Sequence, residues 1–218
     1  MTEFDSAHSS ERFDYEGLQV IYGDLYPIED TFALLADTDT SIIDAHELYS
    51  DRLRERIIVI REGSALESIH DNLQTHGIDV LEKTHINDKI VLPVPKNTRS
   101  IESMAALIED AHQEHYDTTQ YLSVFRMLGQ QLCKLHEAGF GTPSGNWLQQ
   151  FAFSPVRDSP HGARVFFLPP YHLSDELEPP EEQLAEFAEF LMSGEAPIRT
   201  ESLARHIVEE VGYGWRER

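Results

Sequence analysis

The hydrophobic pattern of this chain changes its period once, and that change limits the folds open to it. Before residue 93, short apolar runs rich in β-branched residues predict strands, the clearest being IIVIR at 57–61. Beyond residue 100, apolar residues recur every three or four positions, as in amphipathic helices. Pro93 and Pro95 mark the change, because proline cannot donate a hydrogen bond to a strand ladder. The sequence therefore predicts an α+β protein whose strands precede its helices.

The strand-rich part is expected to contain one helix, at 62–77. Ser64 can cap this helix, Glu67 follows three residues later as in a capping box, and Gly77 can end it. Further strands are predicted at 18–23, 31–36, 78–84 and 88–95, whereas 41–49 is ambiguous between helix and strand.

The clearest helix of the second half is predicted at 117–139. Its apolar stripe steps by four, three, four and three residues and consists of Tyr121, Phe125, Leu128, Leu132 and Leu135. Further helices are predicted at 100–112, 180–192 and 199–211, with a β-hairpin formed by 147–153 and 163–168. Beyond the last helix, Tyr213 and Trp215 are either a loose end or an aromatic anchor for another chain.

The charge balance favours some classes of partner over others. The 218 residues include 39 acidic and 17 basic ones, which gives a net charge of -22. A surface of this sign repels phosphate backbones and anionic headgroups, so neither nucleic acid nor a membrane is expected as a partner. Solubility is the simplest role for the charge, and an acidic docking face for a basic protein is the functional alternative.

Other features of the composition indicate a cytoplasmic protein. Residues 1–17 are acidic and polar, so we expect a flexible arm rather than a signal peptide. No apolar run approaches the roughly 18–20 residues that a membrane-spanning helix needs. The single cysteine, Cys133, excludes an intramolecular disulfide, and its apolar neighbours favour a core thiol.

The eleven histidines do not form a recognisable metal motif. His112 and His115 could share a helix face, but no pair of histidines spaced by four residues encloses a catalytic glutamate. Surface or capping roles are favoured, and no metal site is predicted.

Residues 135–153, LHEAGFGTPSGNWLQQFAF, join the end of the long helix to a turn-rich loop, Asn146 and a strand-like run. This order resembles the protein-kinase-like fold, in particular the small bacterial and archaeal lipopolysaccharide, Bud32-type and aminoglycoside phosphotransferases. Many members of that family also end the long helix with His-Glu-Ala-Gly. The resemblance implies a two-lobed α+β fold, with a strand-rich N-lobe at 18–96 and a reduced helical C-lobe at 97–218.

The resemblance also implies which residues would line the cleft between the lobes. Asn146 matches the metal-ligating asparagine of the family, and Arg61 stands where the family has a lysine. Glu67 is the candidate partner of that cation, although its capping role is the simpler explanation. Arginine is a poor replacement for a lysine placed against phosphates, and no glycine-rich phosphate loop accompanies it.

The acids that phosphoryl transfer needs are missing from their expected positions. A kinase requires a carboxylate to orient the attacking hydroxyl and an aspartate to hold magnesium. Five residues before Asn146, where the carboxylate belongs, lies Gly141, and the alternative alignment deletes that segment altogether. The strand at 163–168 runs into Pro169-Pro170-Tyr171 instead of the metal-binding aspartate. No catalytic residue, metal ion or other cofactor is therefore predicted, and Arg61, Glu67 and Asn146 remain as vestigial cleft positions.

The leading hypothesis is a pseudokinase with a regulatory or scaffolding role. Its partner would be another protein, and a basic one if the acidic surface takes part in binding. One alternative is an atypical phosphotransferase that recruits Asp158 or Asp175 by another route. The other is a plain α+β interaction protein whose likeness to kinases is accidental.

Overall fold

A computed structural model describes residues 16–27, 45–155, 163–169, 171–174 and 176–217, and every structural statement below concerns these ranges. Five strands form one antiparallel sheet: β1 Leu25–Pro27, β2 Ala45–Ser50, β3 Glu55–Arg61, β4 Thr84–Ile86 and β5 Lys89–Pro93. Their order across the sheet is β1-β2-β3-β5-β4. Three strands form a smaller sheet in the order β6-β7-β8: β6 Arg99–Ser100, β7 Phe151–Pro155 and β8 Ala163–Phe167.

Seven α-helices accompany the two sheets in the described ranges. They are α1 Glu16–Tyr22, α2 Ala65–Thr75, α3 Ile101–Gln113, α4 Thr119–Glu137, α5 Trp147–Gln150, α6 Pro180–Met192 and α7 Glu201–Arg216. The chain is thus a mixed α/β protein with most strands in its first half and most helices in its second. None of these helices is both long enough and apolar enough to cross a membrane.

The five-stranded sheet is covered on both faces. Side chains of a strand alternate between faces, so Ile57 and Val59 of β3 point one way and Ile58 and Ile60 the other. The first pair packs against α1, whereas the second pair lies in a cluster that includes residues of α2 and β8. The prediction of a strand at 57–61 is confirmed, and its uninterrupted apolar run reflects burial on both faces.

Two of the predicted strands are wrong. Of the predicted strand at 18–23, residues 18–22 lie in helix α1, because Leu18 and Tyr22, four positions apart, both pack onto the sheet. Residues 78–84 are mostly irregular: Val80 forms a single parallel bridge to Phe167, and a regular strand begins only at Thr84. The predicted strand at 31–36 lies outside the described residues.

The capped helix and the turn between β4 and β5 follow local sequence signals more closely. The Ser64 hydroxyl accepts a hydrogen bond from the Glu67 backbone N–H at 3.2 Å, which confirms the predicted cap. Asn87 adopts a positive φ of 56° in the turn between β4 and β5. Asparagine tolerates this left-handed conformation better than most residues, so Asn87 suits the turn that joins the two strands.

Helices α4 and α7 form the centre of the second half. Phe125, Leu128, Leu132 and Leu135 of the predicted stripe are buried in the main core, but Tyr121 is 41% exposed, so its inclusion was wrong. Gly129 and Gly214 allow the two helix backbones to touch: a Cβ on Gly129 would lie 2.0 Å from the Val211 carbonyl oxygen, and one on Gly214 would lie 1.8 Å from the Arg126 carbonyl oxygen.

The hairpin of the second half is confirmed, although its first strand starts later than predicted. Residues 147–150 form the short helix α5, and the strand begins at Phe151. Trp147 is fully buried and its ring lies 5.8 Å from that of Trp215, between ring centroids. Trp215 therefore belongs to the last helix and to the core, which removes the loose-end interpretation for this residue.

Candidate functional site

The loop after α4 is closed by a second segment of the chain. Gly141 and Ser174 form an isolated antiparallel bridge, with hydrogen bonds of 3.2 Å from Gly141 N–H to the Ser174 carbonyl and 2.8 Å in the reverse direction. A Cβ added to Gly141 would lie only 2.2 Å from the carbonyl oxygen of Glu176. No side chain, and hence no carboxylate, fits at this position without movement of the backbone.

Asn146 ends a short 3₁₀ turn, Ser144–Asn146, between this loop and α5. Its backbone N–H donates to the Pro143 carbonyl at 3.0 Å, and its half-buried side chain makes no capping hydrogen bond to α5. The hydroxyl of Ser144 donates to Glu186 of α6 at 3.0 Å. The turn is therefore anchored to the helical half through Ser144.

The structure places Arg61 and Glu67 on opposite sides of the sheet. Arg61 follows Ile57 and Val59 on the face that α1 covers, and its partner across the ladder is Lys89. Glu67 lies on α2, which packs on the other face. There Glu67 accepts a hydrogen bond of 2.6 Å from the Gly63 N–H and lies 3.8 Å from Lys83 Nζ. The acid thus serves the cap and a local ion pair.

The sheet face that meets α2 and β8 carries no cation in the middle of β3. Ile58 and Ile60 occupy that stretch and are buried in an apolar cluster. On the neighbouring strand Glu47 is only 4% exposed and forms an ion pair with Arg56 at 3.2 Å. A buried carboxylate and an apolar surface are the opposite of what triphosphate binding requires, because phosphates need cations and backbone donors.

The connector between the two sheets offers few free backbone donors. Pro93 and Pro95 have no N–H, and the N–H of Val94 donates to the Arg56 carbonyl at 2.9 Å. The Arg56 guanidinium in turn reaches the Thr98 carbonyl at 3.5 Å. The edge of an adenine ring would therefore find no backbone N–H along 93–95 to bind.

The residues after β8 form a neutral, buried contact with α2. The Tyr171 hydroxyl and His70 Nδ1 are 2.5 Å apart, and both side chains are at least nine-tenths buried. Burial lowers the pKa of His70 and raises the pKa of Tyr171, so both groups are uncharged near neutral pH. The rings of Tyr171 and Phe167 are 5.2 Å apart, which extends this contact towards the second sheet.

Asp79, in the segment between α2 and β4, joins distant parts of the chain and was not singled out from the sequence. It accepts hydrogen bonds from Arg164 Nε of β8 at 2.8 Å and from Lys134 Nζ of α4 at 3.2 Å. Its backbone N–H donates to the Gln131 side chain at 3.0 Å. Burial alone would raise the pKa of Asp79, but Arg164 and Lys134 outweigh it and hold the pKa below its ordinary value. The only signal in the sequence was an acid between Ile78 and Val80, two apolar residues.

The described ranges contain no group of three or more His, Cys, Asp or Glu side chains that could hold a metal ion. Asp158 and Asp175, the acids of the alternative phosphotransferase hypothesis, lie outside those ranges.

A strand-rich sheet with a helix after β3, followed by a long helix, a loop and a hairpin, is the order of elements found in kinase-like folds. The comparison with solved structures agrees: the chain is similar to the LPS kinase WaaP, solved in complex with acyl carrier protein. The TM-score is 0.50 at 13% sequence identity, and the match covers 89% of this chain and 90% of that one. At this identity the similarity shows the fold. No protein-family model matches the sequence, and no curated protein matches it either.

Proposed function

We propose that this kinase-like protein does not transfer phosphate and acts instead by binding another protein, as a pseudokinase with a regulatory or scaffolding role. The observation that carries this proposal is the contact at Gly141. The catalytic carboxylate of the fold would need a side chain there, and the carbonyl oxygen of Glu176 occupies the space. Phosphoryl transfer without a group to orient the nucleophile loses one of its main contributions.

Three further features support the same conclusion. Ile58 and Ile60 occupy the inward face of β3, and the carboxylate of Glu47 is buried on the same side of the sheet. The connector between the sheets presents prolines where backbone donors would be useful. Tyr171, bonded to His70, stands near the position of the metal-binding aspartate. Each feature alone could be compensated, but together they remove the cation, the base and one metal ligand.

The proposed partner is a basic protein. A net charge of -22 attracts basic surfaces over several ångströms and repels anionic ones, which argues against nucleic acid or an anionic membrane. WaaP, in its solved complex, binds acyl carrier protein. That complex is a precedent for a protein of this fold binding another protein, and the identity of the partner is not carried over from it.

The first test is nucleotide binding measured by thermal unfolding. We expect ATP with magnesium to leave the melting temperature unchanged, because the inward face of β3 carries isoleucines instead of a cation and the loop at Gly141 has no room for an acid. A ligand present at 100 times its dissociation constant would add about 2.7 kcal/mol, which such a measurement detects easily.

Asn146→Ala is the matched variant for this test, because Asn146 is the one family metal ligand that the chain retains. In the proposed pseudokinase magnesium stabilises neither protein. Magnesium-dependent stabilisation of the parent that is lost in Asn146→Ala, together with transfer of labelled γ-phosphate, would establish the atypical phosphotransferase instead.

A further inference from the structure

A cavity of about 540 Å³ opens where the end of α4, the start of α6 and the end of α7 meet. We call it the helix-end pocket. The residues that give it its chemistry are His136 and Glu137 of α4, Glu181 and Leu184 of α6, and Gly212, Trp215 and Arg216 of α7. Its walls thus combine aromatic rings, an aliphatic side chain, two carboxylates and one guanidinium.

Gly212 has no conformational or packing reason to be glycine. Unlike Gly129 and Gly214, it touches no backbone: a Cβ there would lie 3.5 Å from Leu184 Cδ1, an ordinary van der Waals distance. Glycine inside a helix costs roughly 0.5–1 kcal/mol relative to alanine. Gly212 leaves space at one wall of the helix-end pocket, beside the Arg216 guanidinium, whose Nη2 would lie 3.7 Å from a Cβ at this position.

The aromatic side of the pocket is fixed in place. The Trp215 ring packs edge-on against the His136 ring, with centroids 5.9 Å apart, and is supported from behind by Trp147. Trp215 is 7% exposed, so it is held rigidly while remaining part of the lining. The face of an indole ring attracts cations, more strongly than any other aromatic side chain.

The charges around the pocket favour a cation. Glu137 and Glu181 are both exposed and lie on two different helices, α4 and α6. Arg216 is the opposing charge in the lining, where its Nη2 would lie 3.7 Å from a Cβ on Gly212 and its Cζ lies 5.4 Å from the centroid of the Tyr213 ring. Two carboxylates beside an aromatic wall, on a protein of net charge -22, are the chemistry that recognises a guanidinium or ammonium group.

We propose that the helix-end pocket receives an arginine or lysine side chain of the basic partner protein. The inference rests on the proposed function, since it supplies the docking point for that partner. Arginine is among the residues that dominate protein–protein binding energy when they fill a pocket. Electrostatic attraction by the whole surface brings the partner close, and the pocket fixes its register.

The test uses the full chain and three short peptides. They are acetyl-Gly-Arg-Arg-Gly-amide, the same peptide with citrulline for arginine, and the same peptide with glutamate for arginine. Citrulline keeps the shape of arginine without its charge. We expect calorimetric titration to detect the arginine peptide, with affinity at least roughly tenfold lower for citrulline and no binding of the glutamate peptide.

Variants separate the pocket from the general surface charge. Gly212→Leu should abolish binding by filling the cavity, whereas Gly212→Ala should fold and bind nearly as the parent does. Glu137→Gln and Glu181→Gln should each weaken binding several-fold, and Arg216→Gln should strengthen it. Glu189→Gln, an exposed acid of α6 outside the lining, is the control with the same change of net charge. If Gly212→Leu does not fold, the Glu137, Glu181 and Arg216 variants test the proposal in its place.

Several outcomes would overturn the proposal: no binding of the arginine peptide, equal binding of the citrulline peptide, binding that Gly212→Leu leaves intact in a folded protein, or equal weakening by Glu189→Gln. Nucleotide binding is read separately on the same protein. If the protein binds neither the arginine peptide nor Mg-ATP, the proposed docking point is wrong and the pseudokinase proposal stands. If the protein transfers phosphate, the pseudokinase proposal is wrong whatever the peptide result.

Discussion

Gly129 and Gly214 determine how closely the two central helices approach. The space that their side chains would fill is taken by backbone atoms of the partner helix, so even a methyl group has no room. The sequence does not reveal this role, because a glycine inside a helical pattern has the same signature whether it permits a close contact or merely weakens the helix. The two cases differ only in which atoms of the neighbouring helix face the glycine.

A comparison of glycines two positions apart tests this packing. Gly214→Ala should destabilise the protein by about 3 kcal/mol or more, because overpacking against an immovable backbone forces the helices apart. Gly212→Ala in the same helix should be neutral or stabilising by up to about 1 kcal/mol, since it gains helix propensity without a clash. Urea denaturation measures both, and similar midpoints for the two variants would contradict the backbone contact.

Gly141 presents the same situation at the loop. Gly141→Asp would put an acid back at the position where the family has its catalytic carboxylate. The Cβ of this aspartate would lie only 2.2 Å from the Glu176 carbonyl oxygen. We expect this variant to lose about 1–3 kcal/mol of stability and to gain no phosphotransferase activity. Gly145→Ala is the control, because the nearest atom to its Cβ is 4.0 Å away on Phe190. If Gly141→Asp proved as stable as the parent, the loop would have room for a side chain.

At the scale of whole elements, local signals predicted those parts that local chemistry determines. Helix α2 carries its own cap, β3 its own β-branched run, and the turn at Asn87 its own left-handed residue. Two of the failures, at 18–23 and 147–150, have one physical cause: a short apolar run fits either period. Most of 18–23 is helical, and 147–150 forms a single helical turn. In both segments, packing against the rest of the protein buries residues at helical spacing instead of alternate residues.

One junction between elements was invisible in the sequence and carries a prediction. Glu109 of α3, only 2% exposed, caps the start of α7: its carboxylate accepts hydrogen bonds from the Thr200 N–H at 3.2 Å and the Thr200 hydroxyl at 2.8 Å. Burial would raise the pKa of Glu109, but the bonds from Thr200 and Gln113 outweigh it and hold the pKa below its ordinary value.

Because the pKa of Glu109 is lower in the folded than in the unfolded state, its ionised form stabilises the fold above the unfolded value of about 4.3. That contribution is lost as the pH falls through the lowered folded pKa. Glu109→Gln should therefore reduce stability by about 1–3 kcal/mol at pH 7 and flatten the loss of stability in acid. The neighbouring exposed acid gives the control, Asp110→Asn, which should match the parent. Equal acid profiles for parent and Glu109→Gln would show that the cap contributes nothing.

At the scale of the whole molecule, the sequence indicated the fold through the order of its elements, and it located the loop around Gly141. It could not indicate that Arg61 and Glu67 lie on opposite sides of a sheet, since that depends on which face each helix covers. Nor could it pair His70 with Tyr171, 101 residues apart. Contacts of this separation leave no periodic trace in a single sequence.

The net charge of -22 is also a property of the whole molecule, and it has a measurable consequence. Repulsion among surface acids opposes the compact state, and salt shortens its range from about 10 Å at 0.1 M to about 3 Å at 1 M. We expect the melting temperature to rise by several degrees between these concentrations of sodium chloride. Sucrose at matched osmolality serves as the uncharged control. A melting temperature that sodium chloride leaves unchanged or lowers would mean that repulsion does not limit stability.

The junction at Asp79 bears on the order in which the chain assembles. Its partners on α4 and β8 lie between 52 and 85 residues further along the chain, so loops of that length must close before it can form. Helix α2 and its neighbouring strands can assemble earlier from contacts near in sequence, because short loops close at lower entropic cost. A late contact of this kind has little influence on how fast the protein folds. It lowers the rate of unfolding instead, because the contact stabilises the folded protein after the transition state has been crossed.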